Sequence, residues 1–549
     1  MKTNWRTAFI TFLFFAAFII ITVNLYSVQI TRGNIFSTQN QKQNILASGL
    51  DPIRGNIYVL DKNRTQIPVA LNKEYSLVFA VPKEVGEGSE NSAAQLSNIL
   101  GLDKSDLEKK LKKPGDLYEL LIQKAGQNQI NDVSSLSLKG IYVKKQFLRY
   151  YPFSDFASHI LGFVSPANDS DKNKNSSAEI GRYGIEAGFN KELAGIESIA
   201  KGDQAVGAEK GKDVVLTIDR TIQSHSEEIL ARLVSEKEAV GGTIIVQEPH
   251  SGRILAMASL PNFDPNNYSK SEIKNFLNPA VAAIYEPGSI FKIITMAIGI
   301  ESGKITPNTK YNDVGSLTIN GRKITNWDQK AHGVQTMTQV IEQSINTGTV
   351  FAEKQTGHET FFNYLKKFGF SDLTGIKLPS EVRGSLKSLI KGKDINFATA
   401  SYGQGVAITP VELISGVSVI ANGGNLMKPL ILDNEKSEVV RRVISADTAK
   451  KVTAMMVSAV DKAGIAAITN YSVAGKTGTA FIPDFNKGGY TEDVINSYVG
   501  FAPAYNPKFV ILIKLDKPAG APLSGQTVVP VFRELAQFIL TYYNVSPDK

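Results

Sequence analysis

The sequence predicts an α+β chain with two folded parts behind an apolar N-terminal segment. Three observations carry this: an uncharged run from Ala8 to Val23, short β-like runs mixed with helical patterns up to about residue 215, and a C-terminal part with strand-like segments at both ends of a helical middle. At 549 residues with 42% hydrophobic content, the chain is long enough for two or more domains with full cores, which excludes a disordered or fibrous chain. Its 60 Lys and Arg against 52 Asp and Glu give a net charge of +8. That fits a soluble basic surface, and equally contact with anionic lipid, cell-wall polymer or nucleic acid. Cysteine is absent, so thiolate metal sites, disulfide scaffolds and cysteine nucleophiles are excluded.

The first element is AFITFLFFAAFIIITV, with Lys2 and Arg6 ahead of it and no acidic residue before Asp51. Extension through Leu25, Tyr26, Val28 and Ile30 supplies the roughly 20 apolar residues that a membrane crossing needs. A transmembrane anchor over 8–30 is therefore expected, with 1–7 in the cytoplasm and everything after about residue 30 outside. A cleaved signal peptide is the competing reading, against which stand the length of the run and the lack of a clear Ala-x-Ala site. The next part, 31–215, contains strand-like runs at Ile57–Leu60, Tyr75–Val81 and Ile141–Val143. A capping-box spacing at Ser105-Asp-Leu-Glu108 opens a helix, and the polar stretch Ala167–Glu179 reads as a solvated loop. The last part, 216–545, begins near Asp213–Asp219, a strand-like run followed by a helical pattern to about Val234. Strands are then expected at Gly242–Gly252, Arg253–Ala258, Asn496–Ala504 and Lys508–Lys514, with a closing helix over Val528–Tyr543. Distant segments thus complete one sheet.

Chemistry enters at Ser289-Ile-Phe-Lys292, where an ammonium is set into a helix that reads as buried all round. Ser-x-x-Lys occurs five times in the chain, and only this lysine lacks polar, lysine-rich surroundings or a place at the chain end. Serine is a weak nucleophile until a base takes its proton, and burial disfavours the charged form of lysine, so Lys292 can be that base. Three residues apart on one helix face, the two side chains can meet. The plainer reading is an N-cap serine with a lysine that snorkels to water. Two further motifs bear on the choice. Ser344-Ile-Asn346 is expected within a helical stretch Thr338–Thr349, and Lys476-Thr-Gly478-Thr479 has apolar flanks suited to a strand. The lysine and the hydroxyls of Thr477 and Thr479 offer donors to an anionic group, and Gly478 allows a substrate backbone to come close. The plain alternative for the last motif is a turn with a solvated lysine.

These three motifs, in this order, resemble those of penicillin-binding proteins and serine β-lactamases. The wider pattern is similar to a class B penicillin-binding protein. It includes Arg54-Gly-Asn-Ile57, Arg149-Tyr-Tyr-Pro152 followed by His159 and Gly162, Gly181-Arg-Tyr-Gly-Ile-Glu186, Ala256-Met-Ala-Ser259, Pro261-Asn-Phe-Asp-Pro265, Glu286-Pro-Gly-Ser289, Tyr402-Gly-Gln-Gly405 and Thr409-Pro410. The resemblance implies a membrane anchor, an elongated mixed α/β pedestal over 31–215, and a transpeptidase domain over 216–545 whose antiparallel sheet is flanked by helices.

It also implies roles. Ser289 would attack the carbonyl between two D-alanines of a peptidoglycan stem peptide, forming an acyl-enzyme with loss of the last D-alanine. Lys292 would activate it, and Ser344 would help pass the proton to the leaving amine. Asn346 would hold the side chains and the substrate amide. Lys476, Thr477 and Thr479 would bind the terminal carboxylate, and the amides of Ser289 and Thr479 would form the oxyanion hole. An amine of a second stem peptide would take the acyl group, and β-lactams would acylate Ser289 as mimics. Neither a cofactor nor a metal is implied. Glu286-Pro-Gly-Ser289 and Ser344-Ile-Asn346 look more like the cell-division type, which implies a SEDS-class glycosyltransferase and divisome proteins as partners.

The pattern departs from the family at Tyr58-Val-Leu60, which lengthens the step to a turn, and at Arg64 and Ser154, where glycine is frequent. Open alternatives are a D,D-carboxypeptidase or β-lactamase that transfers the acyl group to water, a transpeptidase insensitive to β-lactams, and a silent scaffold or sensor. The intact Ser289, Lys292, Ser344 and Lys476 weigh against a silent scaffold, and a sensor is expected to carry a cytoplasmic output domain, where the sequence shows seven residues ahead of the anchor. The five histidines, His159, His225, His250, His332 and His358, show no metal-ligand spacing, and most read as surface or structural. Lys109-Lys-Leu-Lys-Lys113 reads as a solvated helix face, so no nucleic acid is expected.

Overall fold

A computed structural model describes residues 5–26, 52–113, 116, 118–166, 179–196, 199–201, 204–206, 209–484, 487–520 and 522–549. The helix Trp5–Tyr26 is 22 residues long, and Phe12, Phe14, Phe15, Phe18 and Ile20 stand exposed on it. Its side chains are described without a break only from 9 to 24. Among the described residues no helix is long and apolar enough to cross a membrane, and 27–30 of the expected span lie outside them. The polar loop expected at 167–179 likewise lies, apart from Glu179, outside the described residues.

The first part is built on a five-stranded sheet in the order Glu119–Ala125, Gln66–Ala80, Ile57–Leu60, Val214–Asp219, with Ile141–Tyr150 also paired to Gln66–Ala80. The strand over Gln66–Ala80 begins well before the expected Tyr75, because its first residues pair with Ile57–Leu60 and the rest, including the polar Asn72–Glu74, pair with Ile141–Tyr150. Helices Ser89–Leu100 and Lys104–Leu111 cover its far end with Leu96, Leu100, Leu107 and Leu111. The second of these starts earlier than Ser105 predicts: Asp103 is the N-cap and accepts from the Asp106 amide, since an aspartate caps as well as a serine. Val214–Asp219 runs parallel to Ile57–Leu60, pairing Ile57 with Val214 and Leu60 with Asp219, so one strand spans the expected boundary at 215/216.

Both departures from glycine keep the left-handed backbone. Arg64 has φ 65° and Ser154 φ 51°. At Arg64 the turn is held by Asp61, whose carboxylate accepts the amides of Asn63 and Thr65. The guanidinium then reaches Asp433 at 2.7 and 2.9 Å, where Arg253 also binds at 2.8 Å, which ties the turn to the second domain. Ser154 is exposed. Ser154→Gly therefore relieves an unfavourable φ and is expected to stabilise by roughly 0.5–1 kcal/mol, read as a higher urea midpoint.

The second domain is centred on a five-stranded sheet in the order Ile254–Leu260, Gly241–Gln247, Phe509–Asp516, Tyr490–Ala502, Ala474–Pro483. Every neighbouring pair is antiparallel. Along Phe509–Asp516 alternate residues face opposite cores, as the period of two requires. Phe509, Ile511, Ile513 and Leu515 pack with the helices Arg220–Glu236 and Val528–Tyr542. Val510 and Leu512 join the core that contains the helices Phe291–Glu301 and Pro410–Ala421. That core also takes in Ile57, Val59 and Val214, so the two parts share one apolar interior.

Candidate active site

Pro287 and Gly288 lead into a single 3-10 turn, Gly288–Ile290, followed by the helix Phe291–Glu301. Gly288 has φ 56°, and a Cβ there would lie 3.0 Å from the Thr479 carbonyl oxygen. Glycine is thus needed twice, for the backbone and for the approach to the sheet. The turn is seated on Gly403, whose carbonyl accepts the Gly288 amide at 3.1 Å, and a Cβ on Gly403 would come within 2.2 Å of Gly288 O. This accounts for Tyr402-Gly-Gln-Gly405 in the sequence. Glu286 is bonded by the Gly405 amide at 2.9 Å and the Tyr490 hydroxyl at 3.0 Å, joining this turn to the hairpin beyond Pro483.

Lys292 is fully buried, as expected, but its partner differs from the one the spacing predicts. Its ammonium nitrogen bonds the Ser344 carbonyl at 2.5 Å and Ser344 Oγ at 3.2 Å. Ser289 is half-buried, and no hydrogen bond joins its hydroxyl to Lys292 in this geometry. Ser344 also corrects the expected helix over Thr338–Thr349. The helix Met337–Glu342 stops, Ser344 takes φ 58°, and a new helix runs over Asn346–Thr356. A residue inside a continuous helix would have its carbonyl in the helix ladder; the break frees the Ser344 carbonyl for Lys292.

Lys476 lies in the strand Ala474–Pro483, as its apolar flanks predict. Its Nζ bonds Ser344 Oγ at 3.0 Å and Thr477 Oγ1 at 3.1 Å. Ser344 Oγ is therefore held between two lysines. Gly478 is needed by the protein's own packing as well: a Cβ would lie 2.4 Å from Ser497 Oγ and 2.9 Å from Pro287 O, so glycine lets the Ser289 turn dock on the strand. Thr479 Oγ1 is 2.8 Å from Ser524 Oγ, and Ser524 also donates to the Gly478 carbonyl. Ser524 lies in no motif and was not predicted. Asn346 sends its amide to the Thr325 carbonyl at 2.8 Å rather than to Ser289 or the lysines.

Two ammonium groups cannot both stay charged in so dry a place. Burial, reinforced by the nearby Lys476, holds Lys292 well below the usual lysine range. Burial brings Lys476 down to about 7. The site thus combines a lysine whose charged form is disfavoured, a second lysine brought down to about 7 and a hydroxyl between them, next to a serine at the start of a helix. Such an arrangement can take a proton from a nucleophile and hold a carboxylate.

A family model of the penicillin-binding protein transpeptidase domain matches residues 242–537, and one of the penicillin-binding protein dimerisation domain matches 50–224. Stage V sporulation protein D of Bacillus subtilis is 30% identical across 99% of this chain and 86% of its own length. The probable peptidoglycan D,D-transpeptidase PenA of Neisseria gonorrhoeae is 25% identical across 100% of this chain and 94% of its own. Among solved structures, penicillin-binding protein 3 of Mycobacterium tuberculosis, complexed with aztreonam, superposes with a TM-score of 0.69 at 25% identity, covering 91% of this chain and 98% of that one. Penicillin-binding protein 2X of Streptococcus thermophilus shares the fold with a TM-score of 0.74 at 22% identity, covering 90% and 81%. The chain belongs to the class B penicillin-binding proteins and is a D,D-transpeptidase, with a dimerisation-type domain ahead of the transpeptidase domain.

Proposed function

We propose that this transpeptidase cross-links peptidoglycan through an acyl-enzyme on Ser289. The observation that carries the reading is Ser344 Oγ, 3.2 Å from Lys292 Nζ and 3.0 Å from Lys476 Nζ, beside the Ser289 turn. Neutral Lys292 accepts the Ser289 proton as Oγ attacks the carbonyl between the two terminal D-alanines. The amides of Ser289 and Thr479 receive the developing oxyanion. Through Ser344 the proton passes to the departing amine, the C–N bond breaks, and D-alanine leaves. The amine of a second stem peptide then attacks the ester and restores Ser289. Lys476, Thr477 and Thr479 hold the substrate carboxylate, while Asn346 lies beside its amide. β-Lactams acylate the same oxygen.

The uncharged run Ala8–Val23, extended through Leu25, Tyr26, Val28 and Ile30, supports a single membrane anchor over 8–30, of which the described helix Trp5–Tyr26 covers 8–26. Lys2 and Arg6 then stay in the cytoplasm and the catalytic domain lies outside. We place the enzyme in septal wall synthesis with a SEDS-class glycosyltransferase and divisome proteins as partners. A role in sporulation is the second reading, favoured by the Bacillus relative.

The test is to supply the full chain with a donor stem peptide ending in D-Ala-D-Ala and an acceptor amine. Cross-linked product with release of one D-alanine is expected. Only the shortened donor peptide would assign the chain to the hydrolases.

A further inference from the structure

Ser344 holds a left-handed backbone with φ 58° in the break between two helices, a conformation that costs a non-glycine residue of order 1–3 kcal/mol unless its surroundings impose it. Three consecutive residues of a neighbouring loop impose it from both sides. The Thr325 carbonyl accepts the Asn346 amide group at 2.8 Å. Asn326 Oδ1 accepts the backbone N–H of Thr347 at 3.2 Å. Trp327 donates its indole N–H to the Gln343 carbonyl at 3.0 Å. Residues 343, 346 and 347 are thus tied to one loop, with Ser344 between the ties.

The loop is itself fixed at a buried carboxylate. Asp313 accepts the Thr347 hydroxyl at 2.6 Å, the Asn326 amide group at 2.8 Å, the Gly315 amide at 3.0 Å and the His332 amide at 3.0 Å. The His332 ring lies 2.7 Å from Asp313 through Nδ1 and 3.1 Å from Asp328 through Nε2. Asp313, Asn326 and Thr347 are 2%, 1% and 1% exposed, so each of these bonds stands in place of one to water. None of the three touches Ser289 or either lysine through a hydrogen bond.

We propose that Asp313, Asn326 and Thr347 are positioning residues for the proton path, holding Ser344 Oγ between Lys292 and Lys476. The inference rests on the acyl-transfer reading of Ser289 and Ser344. Thr347 is the most direct handle, because valine keeps its shape and removes only the hydroxyl, whereas serine keeps the hydroxyl.

The experiment measures the rate constant for acylation by a fluorescent penicillin at saturating label, counted per reactive molecule, in the full chain. Thr347→Val is expected to slow acylation by about 10-fold, since a small misplacement of a reacting group is that costly. Thr347→Ser is expected to stay within about 2-fold of wild type, because it keeps the hydroxyl that donates to Asp313. In a Ser344→Ala background the effect of Thr347→Val should vanish, since the path it serves is gone. Equal slowing by Thr347→Val in both backgrounds, or none in either, would overturn the proposal. Loss of label from Ser289 itself, with the adduct elsewhere, is a separate result and would overturn the acyl-enzyme reading instead.

Discussion

Lys292→Met is expected to lower acylation of Ser289 by roughly 100- to 10,000-fold, the span of a lost general base, while leaving the protein at least as stable at neutral pH. The two effects have one cause. Lys292 is fully buried, with its ammonium nitrogen bonded to Ser344, and burial followed by the charge of Lys476 holds it well below the ordinary lysine range. Its folded value lies below its unfolded one. Across that window the unfolded chain binds the extra proton, so stability rises with pH, and methionine removes that slope. Two bonds, to the Ser344 carbonyl and to Ser344 Oγ, are lost in exchange, at about 1 kcal/mol each. The wild-type pH profile for acylation per unit concentration of β-lactam should rise as Lys292 loses its proton. It should fall above about 7, where Lys476 loses the charge that attracts the carboxylate. Stopped-flow labelling across pH, with denaturation of the same samples, checks both halves. An active Lys292→Met would remove the lysine from the mechanism.

Glu186→Gln is expected to destabilise the protein by about 3–5 kcal/mol, the cost of breaking a buried ion pair from one side. Glu186 is 0% exposed and receives Arg54 Nε at 2.7 Å, Arg149 Nε at 2.5 Å and the Tyr151 hydroxyl at 3.1 Å. Burial alone pushes its carboxyl up, and Arg149 and Arg54 together more than offset this, so it titrates below its usual value. Its contribution to stability is present above the unfolded carboxylate pKa and is lost as pH falls through the lower folded value. Glutamine leaves two guanidinium groups in a dry interior without a counter-charge. Arg149 also donates to the Gly55 carbonyl at 2.7 Å, and Arg54 to the Glu186 carbonyl at 3.0 Å, so the loss reaches the chain that leads into the strand Ile57–Leu60. The urea midpoint should drop, and molecules that remain folded should still label at Ser289. A midpoint unchanged from wild type would mean that the arginines find other partners.

How much of this was legible in the sequence depended on whether each feature is local. The strand that carries Lys476 could be read from its apolar flanks, and the buried helix of Lys292 from an unbroken apolar run. Arg54, Arg149 and Glu186 could be quoted as motif residues, but nothing within each motif says that they meet, since they are joined only by the fold. The turn at Ser344 was read as helix because no glycine or proline marks the break; the bonds that impose it come from 325–327 and Asp313. His332 was read as surface or structural, and its two carboxylate partners lie at different distances along the chain. The glycine of Lys476-Thr-Gly478 reads from the sequence as room for a substrate backbone, and the fold adds the close approach of Pro287, which no local pattern shows.

The most direct test of the central claim is to label the full chain with a fluorescent penicillin, digest it and locate the adduct by mass spectrometry. The predicted result is a covalent mass on the peptide that carries Ser289 and no label on Ser289→Ala. An adduct on another residue, or undiminished labelling of Ser289→Ala, would contradict it.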